Sequence, residues 1–214
     1  MVILLQLLKA WDYGVAQKRE RLVLIGVRND INFNYSFPKP ISPKLVLKDV
    51  LQNVPSSQGY KYPEYKQKVF ALVPQGGCHR NLPIDIAKEY MSKSYYLGGG
   101  KTGIARRIAW NEPSLTLITS PMQKQTDRCH PDETRPFTVR EYARIQSFPD
   151  AWEFSGGLAS QYKQIGNAVP VNMAYYIGLS IIDFLDMCLS KIPNVSILKE
   201  ENHNMEQLCL LNMD

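Results

Sequence analysis

Between Thr134 and Met173 the chain carries a helix start, a helix stop and two glycine breaks in an order that leaves the local fold little freedom. Thr138-Val139-Arg140-Glu141 is a capping box, in which the Thr138 hydroxyl accepts from the Glu141 amide while the Glu141 carboxylate reaches back to Thr138. Tyr142, Ile145 and Phe148 then recur at three-residue spacing as an apolar stripe, and Pro149, which lacks a backbone donor, stops the helix near Phe148. Gly156-Gly157 breaks the chain again. Gly166-Asn167 tolerates positive φ and predicts a tight turn. From about Asn172, the residues Tyr175, Ile177, Ile181, Leu185 and Leu189 fall close to helical spacing and predict a last helix with one face on a core.

The other end of the chain reads as a loop feeding a buried strand: Asp12-Tyr13-Gly14-Val15-Ala16-Gln17-Lys18-Arg19-Glu20-Arg21, then the apolar run Leu22 to Val27. Val2 to Leu8 is apolar with neither a basic lead nor a small-residue cleavage site, which predicts a short core helix rather than a secretion signal. Asp183 and Asp186 interrupt the last helix, so no membrane span is expected. A chain of 214 residues with 44% hydrophobic and 21% charged residues has the composition of one or two modest folded domains. Four cysteines without a pattern suggest reduced thiols and a cytoplasmic protein.

Residues 30 to 60 are rich in Pro, Asn and Ser, and Pro38, Pro40, Pro43 and Pro55 mark a boundary, beyond which the pattern suggests short strands and loops. The formal charge is +5, yet Lys61 to Arg128 alone holds eleven Lys or Arg against five acids, a local +6. Tyr62, Tyr65, Tyr95, Tyr96 and Trp110 interleave with these cations, as suits a surface lying along phosphates; a solvated face over its own aromatic core is the alternative. Gly98 to Gly103 imitates a nucleotide-binding loop, but the position of its first glycine is Tyr95, so the match fails. Cys78-His79 and Cys129-His130 offer zinc-compatible atoms, but adjacent residues rarely reach one ion together and the usual gap within each pair is absent. No metal is expected.

Tyr13 to Arg21 with its strand, Arg135 to Glu141 with its helix, and Gln164-Ile165-Gly166-Asn167-Ala168-Val169-Pro170 resemble, in order, the last three conserved blocks of the DNA (cytosine-5) methyltransferases of bacterial restriction-modification. Ser114 to Thr119 resembles the Thr-Leu element that closes their target-recognition domains. One departure is Ala16, where the family more often has proline. The resemblance implies an α/β fold: the C-terminal part of a doubly wound, Rossmann-like methyltransferase domain with a smaller, mainly β target-recognition domain. The implied divisions are residues 1–29 in the catalytic sheet, 30–133 for recognition, 134–190 for the returning helices and 191–214 as a tail.

The family's Gly-rich turn for S-adenosylmethionine, its Pro-Cys nucleophile and its Glu-Asn-Val segment are not found in this sequence: Cys78, Cys129, Cys188 and Cys209 follow Gly77, Arg128, Met187 and Leu208. A thiolate must add to C6 of cytosine before C5 can accept a methyl group, so the chain alone is expected to be inactive. The resemblance implies a supporting catalytic role for Arg21, which would reach the flipped base, with Arg19 and Gln17 shaping the loop or meeting the backbone. It places S-adenosylmethionine against Asn167, Ala168 and Val169. Double-stranded DNA would meet Lys101 and Thr102 on the glycine loop, Arg106, Arg107, Thr116, Lys124 and Arg128.

Three readings stay open. The chain, opening at Met1 just before one block and ending after the last helix, is a separately encoded half that needs a second polypeptide carrying the catalytic N-terminal half. It is otherwise a non-catalytic, sequence-specific DNA-binding module, or the remnant of an interrupted methyltransferase gene.

Overall fold

The computed structural model describes residues 1–31, 34–41, 44–98, 103–123 and 125–190. Strand β1 (Val2–Lys9) runs into a 3₁₀ turn at Ala10–Tyr13, which closes on Gly14 in the left-handed conformation at φ 69°. That conformation suits a residue without Cβ. The short β2 (Gln17–Lys18) follows, then β3 (Glu20–Val27), which pairs antiparallel with β1 in register from Val2↔Val27 to Lys9↔Glu20. The expected core helix at Val2 to Leu8 is therefore a strand. Its leucines fall on both faces, so no alternation marks it in the sequence, and long-range pairing with β3 decides the outcome.

The two faces of this hairpin differ. Leu8 packs with Ala10, Tyr13, Val15 and Met173, and Val27 packs with Tyr35 and Phe184. On the opposite face the cross-strand pairs Leu5↔Leu24 and Leu7↔Leu22 are exposed, as is Ile3. The strand Leu22 to Val27 is thus covered on one side only among the described residues.

The middle of the chain departs from its expected mainly β character. It contains α1 (Leu47–Val50), α2 (Glu64–Ala71), α3 (Ile84–Met91) and 3₁₀ turns at His79–Asn81 and Ser92–Tyr95, whereas its strands β4 (Arg106–Arg107), β5 (Ser114–Leu115) and β6 (Arg128–Cys129) have two residues each. Pro63 and Pro83 immediately precede α2 and α3, where a missing amide costs nothing and a fixed φ favours the first turn. These helices bury Phe70, Ala87, Tyr90 and Met91 against Tyr62, Leu82, Ile104 and Cys129 as a separate small core.

The closing segment begins as the sequence predicts. Thr138 caps α4 (Val139–Ile145) through a capping box, with Thr138 N donating to Glu141 Oε2 at 2.7 Å and Glu141 N to Thr138 Oγ1 at 3.4 Å. Helix α5 (Leu158–Asn167) extends through Gly166-Asn167, so the expected tight turn is the last turn of a helix. A Cβ on Gly166 would lie 2.6 Å from Thr119 N and closer still to the Ile118 carbonyl, so this glycine serves close backbone approach.

Helix α6 (Val171–Leu189) packs Met173, Tyr176, Ile177, Ile181, Phe184 and Cys188 inward, while Tyr175, Leu179, Ile182, Leu185 and Leu189 are exposed. Its buried face is rotated from the predicted one, because both faces carry apolar residues. By length and composition alone Leu158–Leu189 is apolar enough to cross a membrane, but residues 168–170 interrupt the helix and the inner face of α6 is occupied by the hairpin.

Candidate functional site

The segment Leu117-Ile118-Thr119 is the point where every sequence block meets. Strand β2 lies parallel to β5, with Gln17↔Ser114 and Lys18↔Leu115 in register, which brings the loop block to the exit of the middle unit. Gln17 is fully buried: its Oε1 accepts from Leu117 N at 3.0 Å and its Nε2 donates to Gln146 Oε1 at 3.1 Å. Gln146 Nε2 in turn donates to Ile165 O at 2.9 Å, and the Tyr142 hydroxyl donates to Ile118 O at 2.9 Å.

Arg19 completes the junction from within. Its guanidinium is buried and donates to Leu117 O at 2.8 Å and Gly166 O at 2.9 Å, tying the loop block to the exit of the middle unit and to α5 in one stroke. Burial first, and the charge of Arg21 second, push its pKa down to about 10. It remains a cation, held as a brace. Asn172 Nδ2 donates to Gly14 O at 2.9 Å and Val171 N to Gln146 O at 3.1 Å, which fixes the start of α6 to the same junction.

Arg21 differs from Arg19 in every respect. It is half-buried, its guanidinium donates to the adjacent Glu20 carbonyl at 2.8 Å, and among the described residues no acid pairs with it. Asn167 and Val169 are exposed and Ala168 half-buried at the end of α5. Thr116 Oγ1 donates to Lys18 O at 2.8 Å and lines a cleft of about 510 Å³ with Trp11, Lys18 and Lys44. Gln146, Tyr142 and Trp11 were not singled out by sequence reasoning for these positions. Gln146 had a usable signal, a polar residue directly after the buried stripe.

The basic middle is less open than its composition suggests. Arg107 is buried and donates to Phe70 O at 2.7 Å, Val73 O at 2.8 Å and His130 O at 3.0 Å, and to Thr134 Oγ1 at 2.9 Å. Arg128 is buried against Gly103 O and Asp127 O. These two side chains, expected to meet phosphates, are both buried and turn most of their donors to neighbouring backbone carbonyls. Arg106 is half-buried in a bidentate pair with Glu112 at 2.6 and 2.7 Å. Lys101, Thr102, Lys124 and the tail 191–214 lie outside the described residues.

Cys129 and His130 are likewise engaged internally. The Cys129 thiol donates to Glu133 O at 3.4 Å, and burial raises its pKa to about 11. His130 Nδ1 accepts from Asp132 N at 3.3 Å and Glu133 N at 3.2 Å.

The mixed α/β fold of the chain resembles two solved structures described as methyltransferases. A prophage-encoded E. coli chain described as a DNA modification methyltransferase superposes with a TM-score of 0.58 at 24% identity, over 86% of this chain and 61% of its own. The Entamoeba histolytica methyltransferase EhMeth does so with a TM-score of 0.53 at 13% identity, over 86% of this chain and 54% of its own.

The model of the C-5 cytosine-specific DNA methylases matches residues 3–183, and the chain belongs to that family. It is 61% identical over 184 residues to the type II methyltransferase M.Sau96I of Staphylococcus aureus and 56% identical over 190 residues to M.Eco47II of Escherichia coli. These alignments cover 84% and 85% of this chain but 43% and 46% of the relatives, so the chain spans less than half of their length.

Proposed function

We propose that this chain is the target-reading, active-site-completing part of a DNA (cytosine-5) methyltransferase, acting in restriction-modification. The observation that carries the reading is the junction at Leu117 and Ile118, where Gln17, Arg19, Tyr142, Gln146 and Gly166 hold the recognition exit, the Arg21 loop and the start of the 167–169 segment in one fixed frame. A frame of this kind positions Arg21, whose guanidinium has no acid partner among the described residues, to hold an oxygen of an extrahelical cytosine and to offset charge developing on it.

S-adenosylmethionine would supply the electrophilic methyl group. Asn167 to Val169 fit one wall of its site: they are open to a ligand at the end of α5 while Gly166 is fixed from behind by Arg19. The rest of that pocket, and the thiolate for C6, belong in this reading to a part of the enzyme beyond these residues, since no cysteine here follows a proline. The exposed leucine pairs of β1 and β3, on the face of the hairpin turned away from α6, support a partner: they form an apolar surface of the kind that marks an interaction site. The missing catalytic half, carried by a second polypeptide, is the occupant that fits.

A chimera tests this. Replacing the corresponding segment of M.Sau96I by residues 1–190 of this chain should give an enzyme that transfers labelled methyl groups to DNA. A folded chimera that binds DNA and S-adenosylmethionine yet transfers nothing overturns the catalytic reading in favour of a DNA-binding module.

A further inference from the structure

Beside the junction lies a cationic cleft that the methyl-transfer chemistry does not use. The Trp11 indole is anchored by Nε1 donating to Leu45 O at 2.7 Å, and two ammonium groups gather on the same ring, Lys44 Nζ at 4.8 Å and Lys18 Nζ at 5.6 Å from its centroid. Aromatic faces attract cations through their quadrupole, but two like charges on one ring repel each other. Asp12 offsets Lys44 at 2.9 Å, and Glu20 lies 3.9 Å from Lys9 at the rim. Lys18 carries no ion pair among the described residues. Arg19, beneath the cleft, is committed to Leu117 and Gly166.

The cleft therefore holds a surplus of positive charge at a defined place. Its walls come from both sides of the junction: Lys18 belongs to the loop that leads to Arg21, and Thr116 to the exit of the middle unit. A volume of about 510 Å³ admits a sugar-phosphate segment.

We propose that Lys18 and Lys44, held on the Trp11 ring, form a clamp for a backbone phosphodiester of duplex DNA beside the flipped base. This rests on the reading that the chain acts on DNA and assigns a contact within it. The indole limits where the two flexible side chains must go, so less ordering remains when the phosphate arrives. Asp12 is a competitor for Lys44: it keeps the cation in place without DNA and is displaced from it by the polyanion. Such a contact carries no sequence information and fixes the register of the protein on the duplex.

The test is a salt titration of binding by the 214-residue chain to a short duplex of mixed sequence. Each phosphate neutralised adds about 0.9 to the slope of log affinity against log salt. The Lys18→Ala/Lys44→Ala double variant should lower the slope by roughly 2, while Lys163→Ala, an exposed lysine on α5 outside the cleft, leaves it unchanged. Asp12→Asn, which frees Lys44, should tighten binding at low salt. Trp11→Leu should keep the slope and weaken binding severalfold.

If the parent chain binds and the double variant keeps its slope, the clamp is refuted while the DNA reading stands. If the parent shows no salt-sensitive binding, the DNA reading fails and the clamp with it. Competition by inorganic phosphate at millimolar concentration, equal in the parent and the double variant, places the anion site elsewhere.

Discussion

Gly166 packs against Ile118 with no room for a side chain: an added Cβ would clash with the Ile118 carbonyl and lie 2.6 Å from Thr119 N. The obstruction is the backbone of the Ile118–Thr119 peptide, so relief requires α5 to move away from that segment. Gly166→Ala should therefore cost about 1–3 kcal/mol or more, the range for overpacking a filled interior. Urea unfolding of the chain measures this, and a variant within 0.5 kcal/mol of the parent, roughly the scatter of surface substitutions, would show that the contact yields easily.

Arg19 and Arg21 stand two residues apart but do different work, and their alanine variants should separate. Arg19→Ala strands the buried carbonyls of Leu117 and Gly166, each worth about 1–3 kcal/mol when left without a donor, so stability should fall by several kcal/mol. Arg19→Lys should rescue little, since one ammonium lacks the planar fork that spans both acceptors. Arg21→Ala should leave the unfolding midpoint nearly unchanged while lowering kcat of the M.Sau96I chimera by about 10²–10³-fold, the range for losing one donor to a developing charge. Equal stability losses in both variants would remove the distinction.

The middle unit has an ionic centre that its composition conceals. Lys66 Nζ meets Asp127 Oδ2 at 2.8 Å with both side chains almost fully buried, and Lys66 also donates to Met122 O at 2.9 Å. Burial raises the Asp127 pKa, with Lys66 opposing. Lys66→Met leaves a buried carboxylate without its counter-ion, held by the Tyr90 hydroxyl at 3.2 Å, and should cost about 3–5 kcal/mol, whereas Lys66→Met/Asp127→Leu should recover much of that loss. Urea unfolding of the two variants decides whether the penalty comes from the uncompensated charge or from lost packing.

Much of this fold was legible because its decisive residues act locally. The α4 cap needs only Thr138 and Glu141, three residues apart, and the structure forms that box. The family blocks were legible too, as short runs in a fixed order. What escaped depends on distant partners. Val2 to Leu8 has an apolar pattern compatible with a buried helix or strand until β3 is paired beside it. Gly166 reads as a turn until Ile118, far back in sequence, is placed against it. The burial of Arg107 escaped because charge is visible in sequence, while the neighbours that take its donors, Phe70, Val73, His130 and Thr134 among them, are not.

Acid should weaken the fold in two stages, both traceable to the turn before α4. His130 Nδ1 accepts from the amides of Asp132 and Glu133, which requires the unprotonated ring. Burial, the largest influence, lowers its pKa below the ordinary 6.5, although Glu141 pulls the other way. An unfolded chain takes up this proton as pH falls through 6.5 while the folded one resists. The His130 contribution is thus complete above pH 6.5 and is lost as pH falls through its lowered folded value. Glu141 follows at lower pH. Burial alone would raise it, but hydrogen bonds from Arg135 at 2.7 and 2.9 Å and from Thr138 N hold it below its ordinary 4.5, so its contribution is present above that value and lost beneath it. The urea midpoint should therefore decline as pH drops below about 6.5 and fall further below about 4.5. His130→Asn, whose side-chain oxygen can accept from the same amides without titrating, should flatten the first decline and keep the second. A first decline unchanged in that variant would assign it to another group and remove His130 from the account.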